Sequence, residues 1–401
     1  MNVETPVFTT PDEQVAWLGT DPIPAKAYYD PEWFELERQA IFMRSWIEVG
    51  HACELPEPGT WIRRELEFAD ASILIVRGKD DRIRAFYNAC THRGTQLVEE
   101  ESGKGANFLC PYHFWNFGDD GRLVAAPDFK RFAPLTKEEC SIPKVAVDTC
   151  AGLIFVNLDP EPKHTLREYL GEYADRLETL PVAKATTFHE YVYEIDANWK
   201  ITYDNFQENY HLRHVHGLTG VATVHQQNQY GYPDKYTFNG PHRTQQIWVN
   251  PEPLIKPMQG YNLGLVANDC AQQGIMGSPD SRTYFALFPS LFIIGTPMQH
   301  FSHKVYPISA TKSRGVFRIY WVDDDDSATR RYAREYALCS LRDIHTEDVN
   351  IINRAQKGLL SGAIKKIHFM TMEGLCRHLY QQVVARVEDY LEEREAAGET
   401  A

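Results

Sequence analysis

The sequence predicts an α+β chain of two domains, an all-β unit followed by a larger unit of sheet and helix, and three observations carry that prediction. From Trp46 to about Leu158 the chain runs in short alternating stretches separated by Gly, Pro and Asp, the pattern of half-buried strands joined by turns. Beyond this unit, further strands give way to two long stretches of helical periodicity that close the chain. A length of 401 residues, 43% of them hydrophobic, is long for one domain and supplies cores for two.

Taken in order, residues 29–46, YDPEWFELERQAIFMRSW, carry helical periodicity, with Asp30 placed to cap and Pro31 in the first turn. WIRRELEF, ASILIVRG, RIRAFYNAC and KVAVDTCAGLIFVNL read as strands, and GDDG at 118–121 as a turn. HTLREYLGEYADRLETL (164–180) reads as a helical linker. A strand at HEYVYEIDA follows, then a helical segment over 198–216, NWKITYDNFQENYHLRHVH. Residues 218–282 are rich in Gln, Asn, Gly, Tyr and Pro with weak periodicity. They are expected to be irregular, and the pocket is expected to be drawn from 218–310. Strands near 283–295, 300–308 and 314–323 would form the core sheet, and helices near 327–357 and 369–396 close the chain. The expected bounds are 1–40 for an N-terminal segment packing on the second domain, 41–160 for the β unit and 161–401 for the second domain.

Composition excludes several classes. A charged fraction of 24% beside ample apolar content does not suit disorder. A net charge of −14 opposes a nucleic-acid binder, which presents a basic face. The longest apolar run, 283–295, is too short for a membrane span and is broken by Pro289. The polar, acidic start MNVETPVFTTPDEQ lacks a signal-peptide pattern. A cytoplasmic protein with no membrane and no nucleic-acid partner is expected. Eight cysteines are too sparse for a disulfide scaffold, but Cys90 and Cys110 each have a histidine close behind.

Those residues are CTHRG at 90–94 and CPYHFW at 110–115: C-x-H, seventeen residues, then C-x2-H. Two thiolates and two imidazoles arriving in pairs from two loops make a four-ligand metal site. A structural Cys2His2 zinc site would use the same ligand set. FYNACTHRGTQL followed by CPYHFWNFGDDGRLV resembles the Rieske domain of ring-hydroxylating oxygenase large (alpha) subunits. The resemblance implies a [2Fe–2S] cluster with Cys90 and Cys110 on one iron and His92 and His113 on the other. Phe114 departs from the family, which usually has Gly after the second histidine, and is expected to alter packing over the cluster.

Within 198–216, His211 and His216 have H-x4-H spacing, and one carboxylate would complete a 2-His-1-carboxylate triad for non-haem Fe(II). His211 with His214, at i and i+3, would share a helical face equally well. Spacing alone therefore leaves the pair open. NWK, then DNFQENYH, then four residues to His216 resemble the mononuclear-iron motif of the same family. The resemblance implies His211 and His216 as ligands, with His214 a bystander. The third ligand would be Asp348 in TEDVNIINRAQKGLLSG (346–362), with Asp343 as the fallback. It also implies Glu208 as a carboxylate linking an iron ligand to the cluster histidine, here His113, of a neighbouring subunit. Asn205 would lie near the iron, and Asp204 would be structural.

The resemblance spans about residue 40 to the last helices. It implies an all-β Rieske domain plus a helix-grip-like catalytic domain with an antiparallel sheet. It implies an oxygenase using O2 as co-substrate, mononuclear Fe(II) and a Rieske cluster. NAD(P)H would be consumed by a separate reductase, directly or through a ferredoxin, since no nucleotide-binding signature is present. It further implies a homotrimer, in some relatives with a beta subunit. A small aromatic substrate is the leading expectation. The alternative is oxidative dealkylation or monooxygenation of a quaternary ammonium compound such as carnitine or betaine. From another class, a Rieske electron carrier or metal-stabilised binding protein would lack oxygenase activity, which the H-x4-H and Asp348 motifs oppose.

Overall fold

A computed structural model describes residues 8–105, 107–216, 223–252, 255–275, 282–296 and 299–398. The chain divides into two compact units, Phe42–Tyr169 and, discontinuously, Met1–Ile41 with Leu170–Ala401.

In the first unit the strands are β1 (Ile47–His51), β2 (Thr60–Leu66), β3 (Ala71–Arg77), β4 (Ile83–Tyr87), β5 (Ser102–Lys104), β6 (Asn107–Leu109), β7 (Asn116–Gly118), β8 (Leu123–Ala125), β9 (Lys144–Cys150) and β10 (Leu153–Asn157). Seven form an antiparallel sheet in the order β1-β10-β9-β4-β3-β2-β5, and β6-β7-β8 form a second, three-stranded sheet. Both sheets contribute to one core in which Trp61, Leu74, Phe86, Phe108 and Phe117 pack with Cys90 and Cys110. The two cysteines are thus held by core packing on one side and by their loops on the other.

The second unit is built on a seven-stranded antiparallel sheet, order β11-β17-β16-β15-β14-β13-β12. The strands are β11 (Thr187–Ile195), β12 (Lys235–Asn239), β13 (His242–Gln246), β14 (Thr283–Leu287), β15 (Leu291–Thr296), β16 (Gln299–Ser309) and β17 (Lys312–Trp321). The helices used below are α1 (Pro31–Glu37), α2 (Trp199–Asp204), α3 (Leu212–Val215), α4 (Pro257–Gln272), α5 (Ala328–Leu360) and α6 (Gly374–Ala396). Val266 of α4 and Ala337, Leu338 and Leu341 of α5 pack on Ile319 and Trp321 of β17. Ile352 of α5 packs on Tyr193 and Phe317. Tyr193 lies opposite Gly315, and a Cβ there would meet its ring at 2.1 Å. Glycine lets the ring lie flat across the neighbouring strand.

Several expectations change. The stretch expected to be irregular contains the β12–β13 hairpin and the 16-residue α4. Gly260, Gly264, Asn262 and Asn268 weaken the helical signal of α4, and packing on the sheet supplies what propensity does not. The apolar run at 283–295 is two strands, since Pro289 cannot donate to a ladder. The linker over 164–180 splits at Gly171, φ +56°, into Leu166–Leu170 and Tyr173–Leu177. Asp30 caps α1 as expected, accepting from the Glu32 N–H at 3.1 Å with Pro31 in the first turn. Part of the range expected to supply the pocket (218–222, 253–254, 276–281 and 297–298) lies outside the described residues. Among the described residues no helix is long and apolar enough to cross a membrane.

Candidate metal centres

The CTHRG and CPYHF loops repeat one backbone pattern. Cys90 O accepts from Gly94 N at 2.8 Å while Cys90 N donates to Thr95 O at 2.8 Å. Cys110 O accepts from Phe114 N at 3.0 Å while Cys110 N donates to Trp115 O at 2.8 Å. Each loop must turn through a left-handed residue to close that pair of bonds: Gly94 at φ +76° and Phe114 at φ +60°. Phe114 therefore occupies a position that favours glycine. Its ring is 60% exposed, so its departure is felt in the backbone and not in packing over the site.

Further bonds fix the loops. Asn88 Oδ1 accepts from the N–H of Leu97 at 3.0 Å and of Val98 at 3.1 Å, and the Thr91 hydroxyl donates to Cys140 O at 2.7 Å. The His92 ring stacks on Trp115 at 4.9 Å and meets His113 at 4.5 Å between centroids. Burial, then His113, hold the His92 imidazole below its ordinary pKa, in the neutral form that binds metals. Both Nδ1 atoms, of His92 and His113, are buried without a hydrogen-bond partner. Buried ring nitrogens of this kind are what a metal would satisfy.

One zinc would draw all four donors to within about 4 Å of one another. Among the described residues, three or more such donors converge within 4.8 Å at His211, His216 and Asp348, and not at these two loops. Ligands shared in pairs between two irons need no such convergence. The donor set fits the [2Fe–2S] cluster.

The second site joins two distant parts of the larger unit. His211 stands just before α3 and His216 just after it, while Asp348 lies within α5. Asp348 Oδ1 is 3.1 Å from His216 Nε2 and 3.6 Å from His211 Nε2. Asp348 is 2% exposed, and its Oδ1 has no hydrogen-bond partner. Each imidazole is gripped through its other nitrogen. His211 Nδ1 meets Glu208 Oε1, and His216 Nδ1 meets Glu347 Oε2 at 2.8 Å. Donation from Nδ1 to a carboxylate leaves the Nε2 lone pairs free and aims them at one point. Burial pulls the His216 pKa down, but the Asp348 and Glu347 carboxylates outweigh it and the net direction is up. This donor set suits Fe(II).

Glu208 does local work too, accepting from the backbone N–H of Tyr210 and, at 3.3 Å, of His211. Asn205 lines the adjoining cavity, and its Oδ1 is buried without a partner. His214 is exposed, beside Tyr230. Asp343 is exposed and takes no part in the donor group. Asp204 accepts from the Tyr28 hydroxyl at 3.0 Å, and burial raises its carboxyl to about 7.

Sequence reasoning missed Glu347, although it stands beside Asp348 in the same motif. It also missed the framework that aims the segment. Asn198 caps α2 by accepting from Lys200 N at 3.0 Å, and its own N–H donates to Gln356 Oε1 of α5 at 2.7 Å. Glu37 of α1 accepts from Trp33 Nε1 at 2.6 Å, Trp199 Nε1 at 2.8 Å and Lys200 Nζ at 2.5 Å. Glu37 and Lys200 are both 0% exposed.

A cavity of about 320 Å³ opens beside the three donors. Its walls are mainly apolar and aromatic, among them Tyr284, Phe292, Phe301, Trp321 and Tyr336.

Comparison with known proteins finds matches to both parts of the chain. The family "Rieske [2Fe-2S] domain" matches residues 45–145, and "Ring hydroxylating alpha subunit (catalytic domain)" matches 182–389. The carnitine monooxygenase oxygenase subunit of Acinetobacter pittii is 31% identical over 354 residues, covering 86% of each chain. The glycine betaine monooxygenase oxygenase subunit of Pseudomonas aeruginosa is 34% identical over 200 residues, 48% of this chain and 44% of that one. The solved structure of the quaternary ammonium Rieske monooxygenase CntA with L-carnitine superposes with a TM-score of 0.72 at 27% identity, covering 95% of this chain and 99% of that one.

Proposed function

Because the chain belongs to the Rieske-type ring-hydroxylating oxygenase alpha-subunit family, we propose that it is the oxygenase component that oxidises a quaternary ammonium substrate beside His211, His216 and Asp348. The chain is a Rieske non-haem iron oxygenase using a [2Fe–2S] cluster and mononuclear iron. The observation that carries the site assignment is the convergence of those three donors within 4.8 Å at the wall of an aromatic cavity.

In this reading Cys90 and Cys110 hold one iron of the cluster and His92 and His113 the other, while His211, His216 and Asp348 hold the mononuclear iron. Bound there, the cluster supplies electrons one at a time and the ferrous iron supplies O2 activation. Glu208 and Glu347 keep the two imidazoles oriented, Asn205 offers a polar group beside the substrate, and the apolar walls exclude water. One oxygen atom enters a C–H bond next to nitrogen, and two electrons and two protons reduce the other to water. The N–C bond of the hydroxylated carbon then breaks, its electron pair staying on nitrogen, and the hydroxyl proton is released to leave a tertiary amine and an aldehyde. The relatives favour this over the aromatic substrate that the sequence alone put first, and the complete donor triad opposes a pure electron carrier.

The electrons come from a separate reductase, directly or through a ferredoxin, that consumes NAD(P)H. Glu208 then also reaches His113 of a neighbouring copy in a homotrimer, with or without a beta subunit. A cytoplasmic location belongs to the same proposal, since none of the eight cysteines is paired in a disulfide. Metal analysis of the purified protein tests it: about three irons per chain are expected, two of them with acid-labile sulfide. Two irons, or zinc without sulfide, would overturn it.

A further inference from the structure

The cavity beside the donor triad has a charge pattern that narrows its ligand. Among the described residues that line it, none is Lys or Arg. The internal stretches outside the described residues, 106, 217–222, 253–254, 276–281 and 297–298, contain neither Lys nor Arg, so they hold no cation to add. His300 lines the cavity, but burial pushes it down to about 4 and it is neutral at physiological pH. The Nδ1 atoms of His211 and His216 already meet Glu208 and Glu347, and their Nε2 atoms face Asp348.

Of the wall's described polar atoms, apart from His300 and the donor triad, three that can accept a hydrogen bond stand without a partner. Asn205 Oδ1, Gln245 Oε1 and Thr223 Oγ1 all belong to cavity-lining residues and are buried with no hydrogen-bond partner. With the aromatic rings of Tyr284, Phe292 and Trp321 in the wall, they suit a cationic head. A carboxylate in the same space would lose its water and meet no Lys or Arg, and the charge of a ferrous iron there is already offset by the carboxylates of Asp348, Glu208 and Glu347. Carnitine and betaine, named for the relatives, each carry a carboxylate.

We infer that this cavity takes an ammonium substrate bearing no carboxylate or other anionic group. The inference rests on the ammonium reading proposed above, and the test separates the two. Dissociation constants are measured on the full-length, iron-loaded protein at fixed ionic strength. The ligands are butyltrimethylammonium, γ-butyrobetaine, in which a carboxylate replaces the terminal methyl, and 2,2-dimethylhexane, the uncharged carbon isostere of the first. Butyltrimethylammonium is expected to bind about tenfold or more tightly than γ-butyrobetaine. Equal or tighter binding of γ-butyrobetaine overturns the inference. Equal binding of 2,2-dimethylhexane and butyltrimethylammonium overturns the ammonium reading and leaves the exclusion of anions standing. Should neither cation bind, toluene against benzoate repeats the contrast without the ammonium. Binding of toluene alone supports the exclusion of anions, whereas binding of benzoate, or of neither, overturns it.

Discussion

The Rieske-type loops and the three-donor site position their histidines in opposite ways. In the Phe42–Tyr169 unit, the four candidate donors come from two loops that repeat the same backbone hydrogen bonds, so the donor spacing and the local fold are one pattern. In the larger unit, two histidines flank the four-residue α3, and their carboxylate partner arrives from α5, far along the chain. The first site is organised by its own backbone. The second is organised from outside, by carboxylates behind each imidazole and by a buried framework beneath. Local organisation is readable as a motif, whereas external organisation depends on contacts between distant segments.

That difference predicts separable failures. The largest is expected from His211→Ala, which should abolish turnover and remove one iron per chain while keeping the visible absorption of the cluster. Bleaching of that absorption would mean the sites are not independent. Next comes Glu37→Ala, which strands the buried Lys200 ammonium and two indole N–H groups. A loss of about 3–5 kcal/mol is expected in chemical denaturation, and a loss below about 1 kcal/mol would remove Glu37 from the framework. Glu347→Gln should weaken mononuclear iron binding about 10- to 100-fold, with cluster iron and sulfide unchanged. An unaltered iron affinity would show that His216 is aimed by packing alone. The smallest effect is expected from Phe114→Gly, which relieves a left-handed residue whose side chain is exposed. Stability should rise by about 1 kcal/mol in thermal unfolding, and a fall would show that the ring does contribute packing.

The same distinction explains what could be read from the residues. Cys90, His92, Cys110 and His113 were legible because each pair lies within four residues and the loop chemistry repeats. Asp348 was legible only through resemblance, since nothing in its own surroundings marks it apart from the other acids of α5. Glu347 went unnoticed because its partner, His216, is a neighbour only in space. Asn198, Lys200 and Gln356 sit in motifs that look catalytic, yet the structure uses them for capping and anchoring. The α4 helix and the β12–β13 hairpin were missed because they are held by burial against the sheet and not by strong local propensity.

Helix α5 has a consequence for which atom is oxidised. Ala337, Leu341, Ile344 and Asp348 follow one another at helical spacing, and all four line the cavity. With a rise of about 1.5 Å per residue, Ala337 stands roughly 16 Å along the helix from Asp348. The helix is therefore a ruler with Asp348 as its zero mark. A substrate whose far end rests against a given turn presents the carbon that lies one fixed length away. Across a homologous series, oxidation next to nitrogen should peak at the chain length that places that carbon beside Asp348, and oxidation indifferent to chain length would show that the helix does not measure the substrate.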